Sequence, residues 1–264
     1  MKLLFLGTGA ADWKIETRRE GEFWRRFSSS LIDGTLLLDP GPHIFDFAKK
    51  NGTPALYDGV KDILCTHSHP DHVNVNTIRT LCAGKPVTLW GDDAIRRRVV
   101  REMGEEASLV TFRHLHHGEW ADVGDYRVLP LHSNHSTGDA FETTLNYVIE
   151  KDGKRLFYGL DGAWLLRESW NVMRALPGSF DAMIFDLTCG EDNDEFRFAE
   201  HNTLSMLRLM LAGMKNKRNH VIGPDTKLYG DHMAKMLHTD HETLCRTVEP
   251  DGITIAYDGM EIEI

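Results

Sequence analysis

The tightest constraint on this chain is an eight-residue stretch, Cys65-Thr66-His67-Ser68-His69-Pro70-Asp71-His72. Four side chains of metal-ligand type fall within six positions, in the order His-x-His-x-Asp-His, directly behind an apolar run over residues 60–65 that reads as a buried strand. A residue before proline is pushed away from the helical region, so His69 should be extended. His67 and His69 then project to one side, because side chains two apart in an extended segment share a face. Pro70 suits the first position of a helix, where its missing N–H is not needed, which would set Asp71 and His72 in the opening turn. Two candidate ligands from a strand end and two from a helix start suit a pair of metal ions better than one. Imidazole and carboxylate without thiolate admit zinc, manganese, iron or nickel.

Composition narrows the alternatives. At 264 residues the chain could form one large or two small domains. It has no linker rich in Pro, Gly or Ser and no internal repeat, so a single domain over residues 1–264 is expected. A net charge of -10 repels phosphodiester backbones, and nucleic acid is not an expected partner. The cysteines, Cys65, Cys82, Cys189 and Cys245, form no Cys-x-x-Cys pair, which argues against a thiolate zinc site and a disulfide framework. A reducing, cytoplasmic setting is expected. The apolar start, residues 1–9, is too short for a signal peptide, and no run approaches a membrane span.

Strand-like and helix-like runs alternate through both halves, which predicts an α/β fold. The first strand ends in Gly7-Thr8-Gly9-Ala10, which lacks the third glycine of a dinucleotide fingerprint. A charged, aromatic arm follows over residues 12–27, with Trp13, Trp24, Arg18, Arg19, Arg25 and Arg26. It reads either as a solvated loop or as a flap whose arginines bind substrate phosphate. Hairpins are expected over 28–38 and 144–158, and helices over 43–50, 73–82, 92–103 and 164–176. Asp92 or Asp93 should cap the third helix, whose Arg96, Arg97 and Arg98 read as a solvated face. His114, His116 and His117 read as a polar loop. Glu191 to Glu195 form an acidic loop, His201-Asn202-Thr203 opens a helix to about Met214, and residues 253–264 should close as a hairpin over Asp258-Gly259.

His67-x-His69-x-Asp71-His72 resembles the signature of the metallo-β-lactamase superfamily. The closing stretch Ala256-Tyr257-Asp258-Gly259-Met260-Glu261-Ile262 resembles one branch in particular, the cyclic phosphodiesterases of phosphonate breakdown. The resemblance implies a four-layer αββα sandwich with the site at one edge, between two sheets. It implies two divalent metal ions, zinc or manganese. His67, His69 and His135 would hold the first and Asp71, His72 and His232 the second, with Asp161 bridging both. His132 competes with His135 on spacing alone, and His220, His238 and His241 remain alternatives to His232; His238 and His241 are expected on the helix that follows. Relatives tend to carry threonine or serine where this chain has Asp231. Asp39 takes a supporting place beside the site, Asp71 orients the water, and His201, not a ligand, serves the leaving oxygen. The arm lacks the cysteines that hold a structural zinc in this branch, so none is expected there. The implied function is hydrolysis of a small, cyclic phosphodiester, with a homodimer as a possible assembly. A lactonase, thioesterase or tRNA 3′ nuclease on the same scaffold, or a ligand-binding protein without turnover, stands as the alternative.

Overall fold

A computed structural model describes residues 1–191 and 196–264. The first half supplies β1 (Lys2–Gly7), β2 (Ser29–Ile32), β3 (Leu36–Leu38), β4 (Asp62–Leu64), β5 (Val87–Gly91) and β6 (Val110–His114). Interleaved with them are α1 (Ile44–Lys50), α2 (Val75–Cys82) and α3 (Asp93–Met103). The second half supplies β7 (Ala121–Val123), β8 (Tyr126–His132), β9 (Leu145–Lys151), β10 (Lys154–Gly159), β11 (Phe180–Asp186), β12 (Ile222–Asp231) and β13 (Ile253–Ile255). With these come α4 (Arg167–Ala175), α5 (Leu204–Met214), α6 (His241–Val248) and a last strand, β14 (Glu261–Glu263). They assemble into two seven-stranded sheets, ordered β14-β1-β2-β3-β4-β5-β6 and β13-β12-β11-β10-β9-β8-β7.

Alternation along the strands decides the layers. In β1, Leu3 and Phe5 face the second sheet and pack with Tyr147, Tyr158 and Ile184, whereas Leu6 lies in the outer layer with Ile44, Ile78 and Val99 of α1 to α3. On the far side, Phe157, Met183 and Phe185 pack against Met173 of α4, Leu207 of α5 and Leu244 of α6. The result is the αββα sandwich, buried on both faces of each sheet, as the mostly apolar strands require.

Three local expectations fail. Pro70 does not open a helix: residues 70–72 form one isolated turn closed by Val73 N–H onto His69 O, and α2 begins only after Asn74, whose side chain caps Thr77 N–H. Helix α4 starts at Arg167 rather than Trp164, because Trp164 has φ +44° and cannot be helical. The chain end is no hairpin. β13 runs parallel to β12 in one sheet while β14 pairs antiparallel with β1 in the other, so residues 256–260 cross between the sheets. Buried Asp258 holds that crossing, accepting from Thr8 Oγ1 (2.9 Å) and Arg26 N (2.7 Å). Of the acidic stretch, residues 192–195 lie outside the described residues. Among the described residues, no helix is long and apolar enough to cross a membrane.

Candidate metal centre

Strand ends of both sheets converge at one edge of the sandwich. From the first sheet come Asp39, after β3, and the segment 65–72 after β4; from the second come His135, Asp161 after β10, Asp186 at the end of β11, and His232 after β12. Asp39, Asp161 and His232 all have positive φ, at 54°, 49° and 61°. Such backbone costs of order 1–3 kcal/mol per residue and persists where the surroundings over-determine it. Here it turns each side chain out of its strand toward a common point. Gly41 lets this packing close, since a Cβ there would sit 2.5 Å from the carbonyl oxygen of Asp71.

Two ligand groups share Asp161. His67, His69 and His135 gather on one side: His67 Nε2 lies 3.0 Å and His135 Nε2 3.2 Å from His69 Nδ1, while Asp161 Oδ2 is 3.5 and 3.6 Å from His67 and His135. On the other side, His72 Nε2 and His232 Nε2 are 3.2 Å apart, Asp161 Oδ1 lies 3.2 and 3.0 Å from them, and Asp71 Oδ2 is 3.5 Å from His72. Metal–nitrogen bonds of about 2.0–2.1 Å make the edge of a tetrahedral site roughly 3.3 Å, so these spacings are those of donors around an ion. Asp161 Oδ1 is buried without a hydrogen-bond partner even though two imidazole nitrogens lie beside it. Its lone pairs and theirs aim at a shared point rather than at each other. Among the described residues three overlapping groups of donors lie close enough together for a divalent ion: His67, His69, His135 and Asp161; Asp71, His72 and His232; and Asp161, Asp186, His201 and His232.

The far ring nitrogens are held so that the near ones face the centre, the usual outer support of a metal-binding histidine. Asp39 accepts from His72 Nδ1 (2.9 Å) and from Thr66 N (2.7 Å), while Thr66 Oγ1 meets His67 Nδ1 at 2.9 Å. Thr188 Oγ1 meets His232 Nδ1 at 2.7 Å, and the Glu200 carbonyl accepts from His135 Nδ1 at 3.4 Å. Burial pushes His67 well down, aided by the neighbouring histidines, and burial likewise lowers His135; neutral imidazole is the form that binds metal. For His72 burial also acts downward, but Asp161, Asp71 and Asp39 outweigh it and raise the pKa; for His232, Asp161 does the same. Burial would raise Asp161, yet the charges of His232 and His72 hold it well below the usual carboxylate range.

His201 is buried beside the cluster rather than exposed at a helix start, two residues before the Thr203 cap of α5. Its ring stacks on His232 at 5.5 Å, and its Nδ1–H donates to Asp186 Oδ2 at 2.7 Å. Burial opposes its protonation, but Asp186 overcomes this and lifts its pKa to about 9. The structure sets the alternatives apart. His132 stands against His117 and Glu168; His220 follows α5 in a connecting loop; His241 opens α6; and His238 precedes that helix rather than lying on it, its Nε2–H donating to Leu187 O at 2.8 Å.

Sequence reasoning missed three residues here. Asp186 is fully buried and accepts from Thr188 N, Asn202 N and His201, so it organises that whole flank. Its signal was available, since an aspartate ending an apolar strand run is the same feature that marks Asp39 and Asp161. Glu142 left no signal: it accepts from Ser68 N (2.6 Å), Ser68 Oγ (2.5 Å) and Thr137 Oγ1 (2.7 Å), tying the His67–His69 loop to the loop that carries His135. Arg98 donates to Ser68 O, so the arginine run of α3 is not simply solvated. The arm is solvated over most of residues 14–23, as one expectation had it, but its return to the body is not. Arg25 and Arg26 are buried, and Arg26 pairs with Asp46 (2.6 Å) and Asp258 (3.2 Å) while Arg25 donates to Thr8 Oγ1 and Ala256 O, both at 2.6 Å, and meets His241 Nδ1 at 3.0 Å. They fasten the arm to the body instead of awaiting a phosphate.

Comparison with known proteins agrees with this fold. Residues 35–218 match the model of the beta-lactamase superfamily domain. No curated protein sequence matches significantly. Among solved structures, a diphosphatase from the PhnP family superposes with a TM-score of 0.75 at 20% identity, covering 100% of this chain and 97% of that one. Zinc-bound PqqB from Methylobacterium extorquens gives 0.69 at 20% identity, with 100% of both chains covered. The short form of human tRNase Z gives 0.69 at 18% identity, covering 100% of this chain and 99% of that one.

Proposed function

This chain belongs to the beta-lactamase superfamily, and from that premise we propose that it is a dinuclear metal-dependent phosphodiesterase acting on a small, cyclic phosphodiester. The observation that carries the reading is His201, paired through Nδ1 with Asp186 at 2.7 Å beside the ligand cluster. Hydrolysis of an alkyl phosphodiester must discharge negative charge on a poor leaving oxygen, and a histidine whose Nδ1 is held by a buried carboxylate has its other ring nitrogen free to act as the donor. A thioesterase, whose thiolate leaves without a proton, has a smaller need for such a donor. The diphosphatase and the tRNase Z that share the fold are named for phosphoryl-bond chemistry, which also supports the reading.

His67, His69 and His135 would hold one ion, Asp71, His72 and His232 the other, and Asp161 would serve both. When bound, two zinc or manganese ions would supply the acidity that brings water toward deprotonation near neutral pH and the charge that clamps phosphoryl oxygens. The protein's own part is positional. Asp71, buried beside His72, orients the water and accepts its proton. His201 gives its Nε2 proton to the leaving oxygen while Asp186 keeps Nδ1 occupied and the ring aligned. Thr188 and Asp39 hold His232 and His72 against rotation.

The test is turnover by the purified, manganese- or zinc-loaded protein of bis(p-nitrophenyl) phosphate and a ribosyl cyclic phosphate, beside a lactone and an acyl thioester. Hydrolysis of both phosphodiesters is expected. Turnover of lactone or thioester with both diesters inert would sink the proposal.

A further inference from the structure

Five aromatic rings among the described residues are largely exposed: Phe23, Phe141, Trp164, Phe198 and Tyr257. They divide by what surrounds them. Phe23 stacks on His241 at 4.8 Å beneath the Arg25 guanidinium, and Tyr257 meets the same His241 edge-on at 6.1 Å. These two are exposed edges of a packed cluster. Phe141, Trp164 and Phe198 have no ring or cation against them among the described residues, at exposures of 85%, 43% and 49%. Each of these three lies on a segment that builds the metal centre. Trp164 follows Asp161 by three positions. Phe198 stands in the turn Phe196–Ala199, onto which His201 N–H closes through Arg197 O at 2.8 Å. Phe141 directly precedes Glu142, the clamp on Ser68.

Trp164 carries the argument furthest. A bulky residue at φ +44° is a genuine outlier, and such backbone is maintained only where neighbours enforce it. Here the enforcer is Asn202, buried next to His201, whose Oδ1 accepts from Trp164 N at 3.0 Å. The strain displays an indole that belongs to none of the three core clusters and finds no hydrogen bond for its ring nitrogen among the described residues. Folding gains little from that ring, whereas a bound ligand would gain a large, rigid, apolar face next to the bridging aspartate and the acid.

We propose that Trp164 is a specificity determinant that stacks on a flat ring of the substrate, so the phosphodiester carries an aryl or nucleobase group in addition to the bond that is cleaved. This rests on the phosphodiesterase reading, and it narrows that reading to a substrate class.

The decisive comparison uses diesters with one leaving group, p-nitrophenolate, and different spectator groups: ethyl, phenyl and 5′-thymidyl. The metal-loaded protein should prefer phenyl or thymidyl over ethyl by about tenfold in kcat/KM, mostly through KM, the scale of one stacked ring. Trp164→Ala should bring that ratio close to one, and Trp164→Phe should restore most of it. The thymidyl arm separates a nucleobase from a simple aryl group. An unchanged ratio in Trp164→Ala, or no preference in the parent protein, overturns the proposal. A binding arm keeps it separable from turnover: phenylphosphonate should bind the metal-loaded protein more tightly than methylphosphonate by calorimetry, and Trp164→Ala should erase the difference. If no diester is hydrolysed but this ring preference appears and depends on Trp164, the phosphodiesterase reading fails while the aromatic site stands. If neither phosphonate is preferred, the aromatic site is refuted whatever the enzyme hydrolyses.

Discussion

The metal motif and the arginine arm look alike as sequence, since each concentrates polar chemistry in a short stretch, yet the fold uses them in opposite ways. At the centre, ligand-type atoms converge and one is left unmet: Asp161 Oδ1 is buried with no hydrogen bond although His72 and His232 lie within 3.2 Å. In the arm, donors are consumed. Arg26 spends its N–H groups on Asp46 and Asp258, and Arg25 on Thr8, Ala256 and His241. A cluster whose partners are all internal is a fastening, and one whose lone pairs point at common space is a binding site. Residue type does not separate the two cases; the accounting of partners does.

The contrast predicts how each region breaks. The largest effect belongs to Asp161→Ala, which should lose metal and activity together, the rate falling to the uncatalysed background, because its two oxygens face the histidines on both sides of the centre. Two ions per chain retained, by elemental analysis, would refute its bridging place. Next comes His201→Ala, which should keep both ions yet lose about a hundredfold in turnover, the scale of positioned acid catalysis. The loss should be larger for a ribosyl cyclic phosphate than for a nitrophenyl ester, whose leaving group departs without a proton; equal losses would make His201 a stabiliser of phosphoryl charge instead.

The arm should fail in stability rather than chemistry. Arg26→Met takes a guanidinium from Asp258 and Asp46 but leaves Asp258 the Thr8 hydroxyl and the residue-26 N–H, and losing that half of a buried pair costs about 3 kcal/mol. Urea unfolding should register this, while metal content in the folded fraction stays at the parent level; a variant as stable as the parent would show the pair to be dispensable. The smallest effect concerns His43, packed against Phe27 at 4.2 Å and Trp24 at 5.5 Å of the arm. Burial lowers its pKa from 6.5 to about 4, so the folded state holds it neutral while the unfolded chain takes up a proton. Its contribution is therefore complete above pH 6.5 and is lost as pH falls toward 4. His43→Gln should remove up to about 3 kcal/mol of that pH dependence, read as parent-minus-variant stability at pH 7 and pH 4.5. A difference that does not change with pH would exclude His43 as the cause.

These two regions also show where sequence is sufficient. The run from His67 to His72 declared itself because its ligands are neighbours in the chain, and local rules of alternation and pre-proline backbone reach that far. Even so, Pro70 opened only a single turn, since the next helix waits for the Asn74 cap. His135, Asp161 and His232 were readable only through the order of a known signature, because nothing local distinguishes Asp161-Gly162 from an ordinary turn. The same limit hid Glu142, whose importance lies in reaching Ser68 across 74 positions.

What the sequence determined by itself was therefore the chemistry and the fold class: imidazole and carboxylate side chains of ligand type in one short run after a strand, and strands and helices in an α/β order, while the four layers followed only from the family resemblance. Tertiary structure decided which polar residues face which. It sent β13 and β14 to different sheets, although their residues look like one hairpin, because each strand found a longer-range edge to pair with. It buried Arg25 and Arg26 because the crossing chain at Asp258 and Ala256 offered acceptors that no local pattern announces. It also gave His201 its high pKa, through an aspartate 15 residues away in the chain and 2.7 Å away in space. Charge interactions and hydrogen bonds depend on distance between atoms, and the fold alone sets that distance.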